Sequence, residues 1–232
     1  MFGHTEGVRD RFEHMRRLRD AQDQAIEKEW SGRYLSFISW PFQPENTPLG
    51  RLPVWEGGAD EAFPGDELAD RVAAGDVDPS DKTAWRAACP EAGRTRRPAG
   101  SSEYLRMQAL SRLFMDNIDH VGSSWVTMGP HIGQLGLFYG ADDLGSIMME
   151  ENVVSAAGTT YCLDEALLCH LIREAGYVPA ERDNAYRHLA VHDGPEAPDR
   201  QVEDWSAHRV HGEPDVPSDE SSSPVSLSIE GR

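Results

Sequence analysis

The chain has 232 residues, enough for one domain with a sizeable core. It carries 22 Lys and Arg against 40 Asp and Glu, a formal charge of −18, which argues against nucleic-acid phosphates and anionic membrane surfaces as partners. No apolar run is long enough to span a membrane, Met1 to Glu6 shows no secretory signal, and Cys89, Cys162 and Cys169 are too few for a disulfide framework, so a cytoplasmic, reduced protein is expected.

Lys28 and Lys82 are the only lysines. High acid with almost no Lys resembles proteins of salt-loving microbes, in which salt screens self-repulsion; an acidic tail that skews the average is the plainer account.

Four stretches are expected: 1–50 folded, 51–100 an acidic Gly/Pro/Ala-rich insert, 101–190 folded, and 191–232 a disordered acidic tail. In chain order, Val8, Phe12, Met15 and Leu18 recur at helical spacing and predict a helix over 6–24. Tyr34 to Trp40, between Gly32 and Pro41, reads as a strand. Ser102 is placed to cap a helix whose apolar face is Met107, Leu110, Phe114 and Ile118. Val121 to Thr127 reads as a second strand. Gly129-Pro130 opens the next helix, which ends near Gly140. Leu144 to Met149 is a third strand candidate. Asp164 caps a last helix, with Leu163 stapled to Leu168, a stripe of Leu167, Leu168, Leu171 and Ile172, and a turn at Gly176. Alternating helices and short strands predict an α/β fold of βαβ units on a parallel sheet, which amounts to half of a TIM-type (β/α)₈ barrel.

Barrel chemistry sits at the C-terminal ends of strands. That rule selects Gly3-His4-Thr5, the run Trp40 to Thr47 with Gln43 and Asn46, the run Ser124 to Thr127 with Trp125 and Thr127, then Asp142-Asp143 and Glu150-Glu151. Amides, hydroxyls, an imidazole, aromatic faces and carboxylates together suit a polar, ring-containing small molecule such as a nucleoside. Each residue has a plainer alternative. His4 can cap a helix, Gln43 and Asn46 can serve a proline-rich turn, and Trp125 can be core. Asp142-Asp143 can be a turn, and Glu150-Glu151 can favour a helix N-terminus. His188 and His192 are four apart, a spacing that shares a helical face, yet they lack the carboxylate of a zinc-protease pattern, and no metal site is expected.

Several stretches together resemble a known family. They are Phe37 to Leu49 (FISWPFQPENTPL), Glu103 to Ile118, Ser124-Trp125-Val126-Thr127-Met128-Gly129-Pro130 with Gly133-Gln134-Leu135, and Gly140 to Gly158 (GADDLGSIMMEENVVSAAG). They are similar to cyclic dehypoxanthine futalosine synthase, a radical SAM family of menaquinone biosynthesis related to aminofutalosine synthase and FO synthase. The resemblance covers 1–49 and about 101–186 and implies the C-terminal half of the barrel. It implies S-adenosylmethionine and a [4Fe–4S] cluster as cofactors. The family's Cys-x3-Cys-x2-Cys motif is absent, and the three cysteines present have the wrong spacing to replace it. Gly122 and Met128 stand where the family pattern leads one to expect polar residues. By resemblance, substrate contacts fall on His4, Gln43, Asn46, Trp125, Thr127, Asp142, Glu150 and Glu151, with no catalytic residue assigned. A nucleoside-like substrate and a separate N-terminal half-barrel are the implied partners. The alternatives are an FO synthase-like subunit and a non-catalytic, truncated half-barrel.

Overall fold

The computed structural model describes residues 1–57, 61–147, 156 and 161–208. Helix α1 spans Val8–Glu27 and is followed by strand β1, Ser36–Ile38. The 51–100 stretch holds α2 (Pro64–Ala74) and α3 (Lys82–Ala88). Then come α4 (Ser101–Phe114), β2 (His120–Gly122), the single turn α5 (Trp125–Met128) and α6 (Pro130–Phe138). Helix α7 is Glu165–Glu174, and β3 (Ala180–Arg182) and β4 (His188–Val191) form an antiparallel hairpin.

The parallel pairings run in chain order. Phe2 bridges Pro41 at the end of the β1 segment, Ser36, Phe37 and Ile38 pair with His120, Val121 and Gly122, and Gly122 bridges Asp143. Four consecutive segments therefore lie side by side, each beside its chain neighbour. This is the arrangement that successive βαβ units produce. Helices cover one face. Phe37 packs into the cluster of Phe2, Met15, Tyr104, Met107, Met115 and Ile118, and Ser39 Oγ lies 3.0 Å from Ser111 Oγ of α4. Ile38 and Trp40 alternate with these residues and stay 38% and 49% exposed, so they belong to the opposite, uncovered face. A second cluster joins Trp125, Leu137, Leu144, Leu163, Leu167, Leu168 and Leu171.

Several local expectations fail for identifiable reasons. Helix α4 begins at Ser101 with Gly100 as its N-cap, so Ser102 lies inside it. The second strand stops at Gly122 because the buried Tyr104 hydroxyl accepts from Ser124 N (2.7 Å), turning the chain into α5. Tertiary hydrogen bonding here overrides the β-branched Val126 and Thr127. In the third strand candidate Leu144 to Ile147 are unpaired, the bridge falling on Asp143 just before them, and Met148 and Met149 lie outside the described residues. The last helix holds as expected: Asp164 Oδ1 accepts from Leu167 N at 2.8 Å, and Gly176 ends it at φ +88°.

Residues 191–208, placed in the tail by composition, are held by two anchors. Asp199, with a side chain only 4% exposed, takes Nε and Nη2 of Arg173 at 2.6 and 3.0 Å. Trp205 packs against the second cluster, and His208 Nδ1 lies 2.6 Å from Asp164 Oδ2. Average composition hid two anchors, one ionic and one aromatic. Residues 209–232 lie outside the described part. The 51–100 stretch also contributes buried residues, with Phe63, Ala69, Val77 and Cys89 buried. Among the described residues no helix is long and apolar enough to cross a membrane.

Candidate functional site

The segments' C-terminal ends lead into three loops: residues 3–7, 42–50 and 123–129. The first is organised by Glu6. Its Oε1 accepts from Gly3 N (2.6 Å) and Arg11 Nε (2.7 Å), and its Oε2 accepts from His4 N (2.9 Å). Burial alone would raise the Glu6 pKa, but the hydrogen bonds from His4 and Gly3, with Arg11 beside them, hold it at about 2. His4 Nδ1 accepts from Thr5 N at 2.8 Å and stands 3.0 Å from Glu6 Oε2. An Nδ1 without a proton makes the first contact and an Nδ1–H the second, since one nitrogen cannot accept and donate at once. The ring meets Phe42 edge-on, centroids 5.9 Å apart, which joins the first loop to the second.

In the second loop Gln43 Nε2 reaches Pro41 O at 3.3 Å. Thr47 Oγ1 donates to Pro44 O (2.9 Å) and accepts from Gly50 N (2.9 Å). A Cβ on Gly50 would stand 1.7 Å from Pro44 O, so this turn closes only around glycine. Asn46 adopts φ +55°, and its Nδ2 donates to Ala156 O at 2.8 Å. That bond ties the loop after β1 to the chain beyond the fourth segment. In the third loop Thr127 Oγ1 is 2.7 Å from Ser124 Oγ.

Two expected contacts are placed elsewhere. Trp125 is 1% exposed within the second cluster, so its ring is core and offers no face to a ligand. Asp142 sits at the opposite end of the sheet, where its N–H donates to Val121 O. Its carboxylate takes Arg112 Nη2 (2.8 Å), Val121 N (2.7 Å) and His120 Nδ1 (2.7 Å). It precedes the fourth strand segment, as its place before the Leu144 to Met149 run already implies. Glu150 and Glu151 lie outside the described residues. His4, Gln43, Asn46 and Thr127 remain together at the C-terminal end.

The opposite end is closed by a feature the sequence did not reveal. Tyr186, at φ +58° in the β3–β4 hairpin, stacks on His120 with centroids 3.8 Å apart. Its hydroxyl donates to Asp143 Oδ2 at 2.9 Å, and it also bonds the Ser36 side chain. Arg182 Nη2 joins Asp143 Oδ2 at 2.5 Å. One ring thus touches the starts of the second, third and fourth segments. A cavity of about 630 Å³ lies beside this plug, lined by Asp143, Leu144, Cys169, Ile172, Arg182 and His192 among others. A smaller one of about 210 Å³ lies at the first segment, between Phe2, His4, Glu6, Arg11 and Met107. His188 lies in β4 and His192 just after it, so the two share no helical face. Among the described residues no group of three or more His, Cys, Asp or Glu is arranged to hold a metal ion.

Residues 91–194 match the CofH/MqnC C-terminal region family. The chain is 38% identical over 195 residues to the cyclic dehypoxanthine futalosine synthase of Streptomyces coelicolor, covering 84% of this chain and 36% of that protein. It is 36% identical over 200 residues to the same enzyme of Halalkalibacterium halodurans, covering 86% and 40%. It is 30% identical over 199 residues to the aminodeoxyfutalosine synthase of Thermus thermophilus, covering 85% and 41%. The chain spans about two-fifths of the length of the curated relatives it matches, and it is similar to their C-terminal part.

Proposed function

We propose that the chain is the substrate-side, C-terminal part of a radical SAM barrel that cyclises dehypoxanthine futalosine on the futalosine route to menaquinone. The observation that carries this reading is the row of four parallel segments in chain order, with His4, Gln43, Asn46 and Thr127 at their C-terminal ends, in a chain 38% identical to a cyclic dehypoxanthine futalosine synthase. Four segments are half the number that closes a TIM-type barrel. The uncovered face bearing Ile38 and Trp40 is then the barrel interior. A Cβ on Gly122 would stand 2.8 Å from Ile38 Cγ1, so Ile38 fills the space beside the position where the family pattern suggests a polar residue. The 51–100 stretch is an insert in this half-barrel, and residues beyond the hairpin are an appendage to it.

The cysteines do not fit the [4Fe–4S] cluster that the family implies. Cys89 and Cys169 are buried, Cys162 is exposed, and Cys162 and Cys169 bracket the first turns of α7. Burial pushes the Cys169 thiol up to about 11 and raises Cys89 as well, the opposite of what a thiolate ligand needs. A separate N-terminal half-barrel would have to supply the cluster and the S-adenosylmethionine site. The residues of this chain would hold the nucleoside-like substrate. Glu6 shapes the His4 turn, the His4 ring offers a hydrogen-bonding nitrogen, and the amides and hydroxyl of Gln43, Asn46 and Thr127 offer hydrogen bonds. Glu150 and Glu151, which follow the fourth segment in sequence, belong to the same proposed set.

The test is co-expression with the N-terminal portion of the Streptomyces coelicolor relative, followed by assay with dehypoxanthine futalosine and, separately, with deazaflavin precursors. Turnover of the first supports the reading. Turnover of the second alone moves the chain to the FO synthase-like class. No turnover with a complex that binds neither substrate leaves the non-catalytic half-barrel.

A further inference from the structure

The 51–100 segment leaves the loop after β1 and returns against the loop after the first strand segment, so it bridges two of the three loops at the C-terminal end. The contacts that concern the first loop fall on one short stretch, Gly3 to Arg9. Arg97 N donates to His4 O at 2.7 Å. Asp66, in the first turn of α2, accepts Val8 N on Oδ1 at 2.5 Å and Arg97 Nη1 on Oδ2 at 2.8 Å. The Arg97 guanidinium lies 4.6 Å from the centre of the buried Phe63 ring, and Arg9 pairs with Asp70. The backbones also touch: a Cβ on Gly7 would stand 2.6 Å from Gly65 O, and one on Gly65 would stand 2.4 Å from Thr5 O.

These contacts form a closed circuit. It runs from His4 O to Arg97, through the ion pair to Asp66, and back to the first residue of α1. Gly7, the N-cap of α1, has no side chain to satisfy the helix's free N–H groups. Asp66, 58 residues away in sequence, supplies that acceptor and places a carboxylate at the positive end of the helix. An excursion that merely avoided the site would need none of this.

We propose that the 51–100 segment is a clamp on the His4 turn, with Asp66 and Arg97 as positioning residues that fix where the imidazole stands at the C-terminal end of the sheet. Only the consequence for substrate contact rests on the function proposed above. The clamp itself is measured without substrate, so its failure would leave that function standing.

The experiment is amide hydrogen exchange, read by mass spectrometry on the whole chain, for wild type, Asp66→Ala and the milder Asp66→Asn. Asp66→Asn keeps an acceptor for Val8 N but loses the charge opposite Arg97. Loss of a cap is expected to speed exchange in peptides covering 3–12 by roughly five- to tenfold in Asp66→Ala, and less in Asp66→Asn. Peptides covering α7 and β2 should keep wild-type rates. The His4 ring resonance, identified by its loss in His4→Gln, should shift in Asp66→Ala. Wild-type exchange at 3–12 overturns the proposal, and so does equal acceleration in every peptide, which would make the segment ordinary core. If Asp66→Ala does not fold, the same two comparisons in Asp66→Asn decide it.

Discussion

Replacing Asp199 by Ala isolates the contact that holds residues 191–208 against α7. Asp199 is 4% exposed at the side chain and makes two bonds to Arg173, whose side chain is 23% exposed and also donates to His192 O at 2.7 Å. Breaking a fully buried pair costs about 3–5 kcal/mol, because the surviving charge stays desolvated. Arg173 retains some solvent and one carbonyl, so we expect about 2–3 kcal/mol. With a urea slope of about 2 kcal/mol per molar, the midpoint should fall by about 1 M with the slope unchanged. The pH dependence has a definite sign. The Arg173 hydrogen bonds lower the Asp199 pKa, so the stabilisation is complete above the ordinary Asp value and is lost as pH falls through the lowered one. The assay is urea unfolding followed by fluorescence and far-ultraviolet dichroism at neutral and acid pH. A midpoint shift under about 0.3 M at neutral pH, or a variant whose deficit is the same below both pKa values as above them, would refute the docking argument.

Trp125→Ala should lower stability by about 3–5 kcal/mol, as for other buried aromatic truncations, whereas Thr127→Val, which loses a hydroxyl hydrogen bond, should change it by less than about 1.5 kcal/mol; comparable losses in the two would contradict the assignment of Trp125 to the core. Stability contributed by Glu6 should be complete above about pH 4.5 and fade as pH falls towards 2, so acid melts of wild type and Glu6→Gln should converge there. At −18 net charge, with apolar residues on an uncovered sheet face, the isolated chain should gain helical dichroism in molar salt, and a cooperative, salt-independent melt in dilute buffer would count against an open half-barrel. In a completed barrel, Glu150→Gln or Glu151→Gln should weaken substrate binding by roughly 5- to 150-fold if either holds substrate hydroxyls; unchanged affinity in both would reduce them to helix-capping residues.

What could be read from the sequence was what local chemistry decides. The Asp164 cap, the Gly129-Pro130 start and the Gly176 stop each depend on two or three adjacent residues, and each stands where it was expected. What could not be read depends on partners distant in sequence. The turn after Gly122 is set by a hydroxyl 20 residues earlier, on Tyr104. The cap of α1 comes from Asp66, and the order of residues 191–208 from Arg173. The candidate site divides the same way. His4, Gln43, Asn46 and Thr127 follow strand segments and could be placed by order alone. Asp142 was misplaced because the strand-end rule was applied to a carboxylate that precedes the Leu144 to Met149 run and so enters that strand.

That misplacement sharpens the chemistry. The two ends of the sheet carry opposite kinds of polar groups. At the strand starts Asp142 and Asp143 are saturated by Arg112, His120, Arg182 and Tyr186, an arrangement that spends the carboxylates on cohesion and leaves them little capacity to take up a ligand. At the strand ends, among the described residues, Gln43 has one long bond to a carbonyl, Thr127 bonds within its own turn, and His4 faces two mutually exclusive partners. Groups that are weakly or alternatively satisfied can change partners when a substrate arrives; groups in a closed ionic network cannot do so without leaving a charge unpaired. The same sheet therefore presents an ion-paired network at one end and available hydrogen-bonding capacity at the other, which supports the proposed placement of a ring-bearing, hydroxyl-rich molecule at the second.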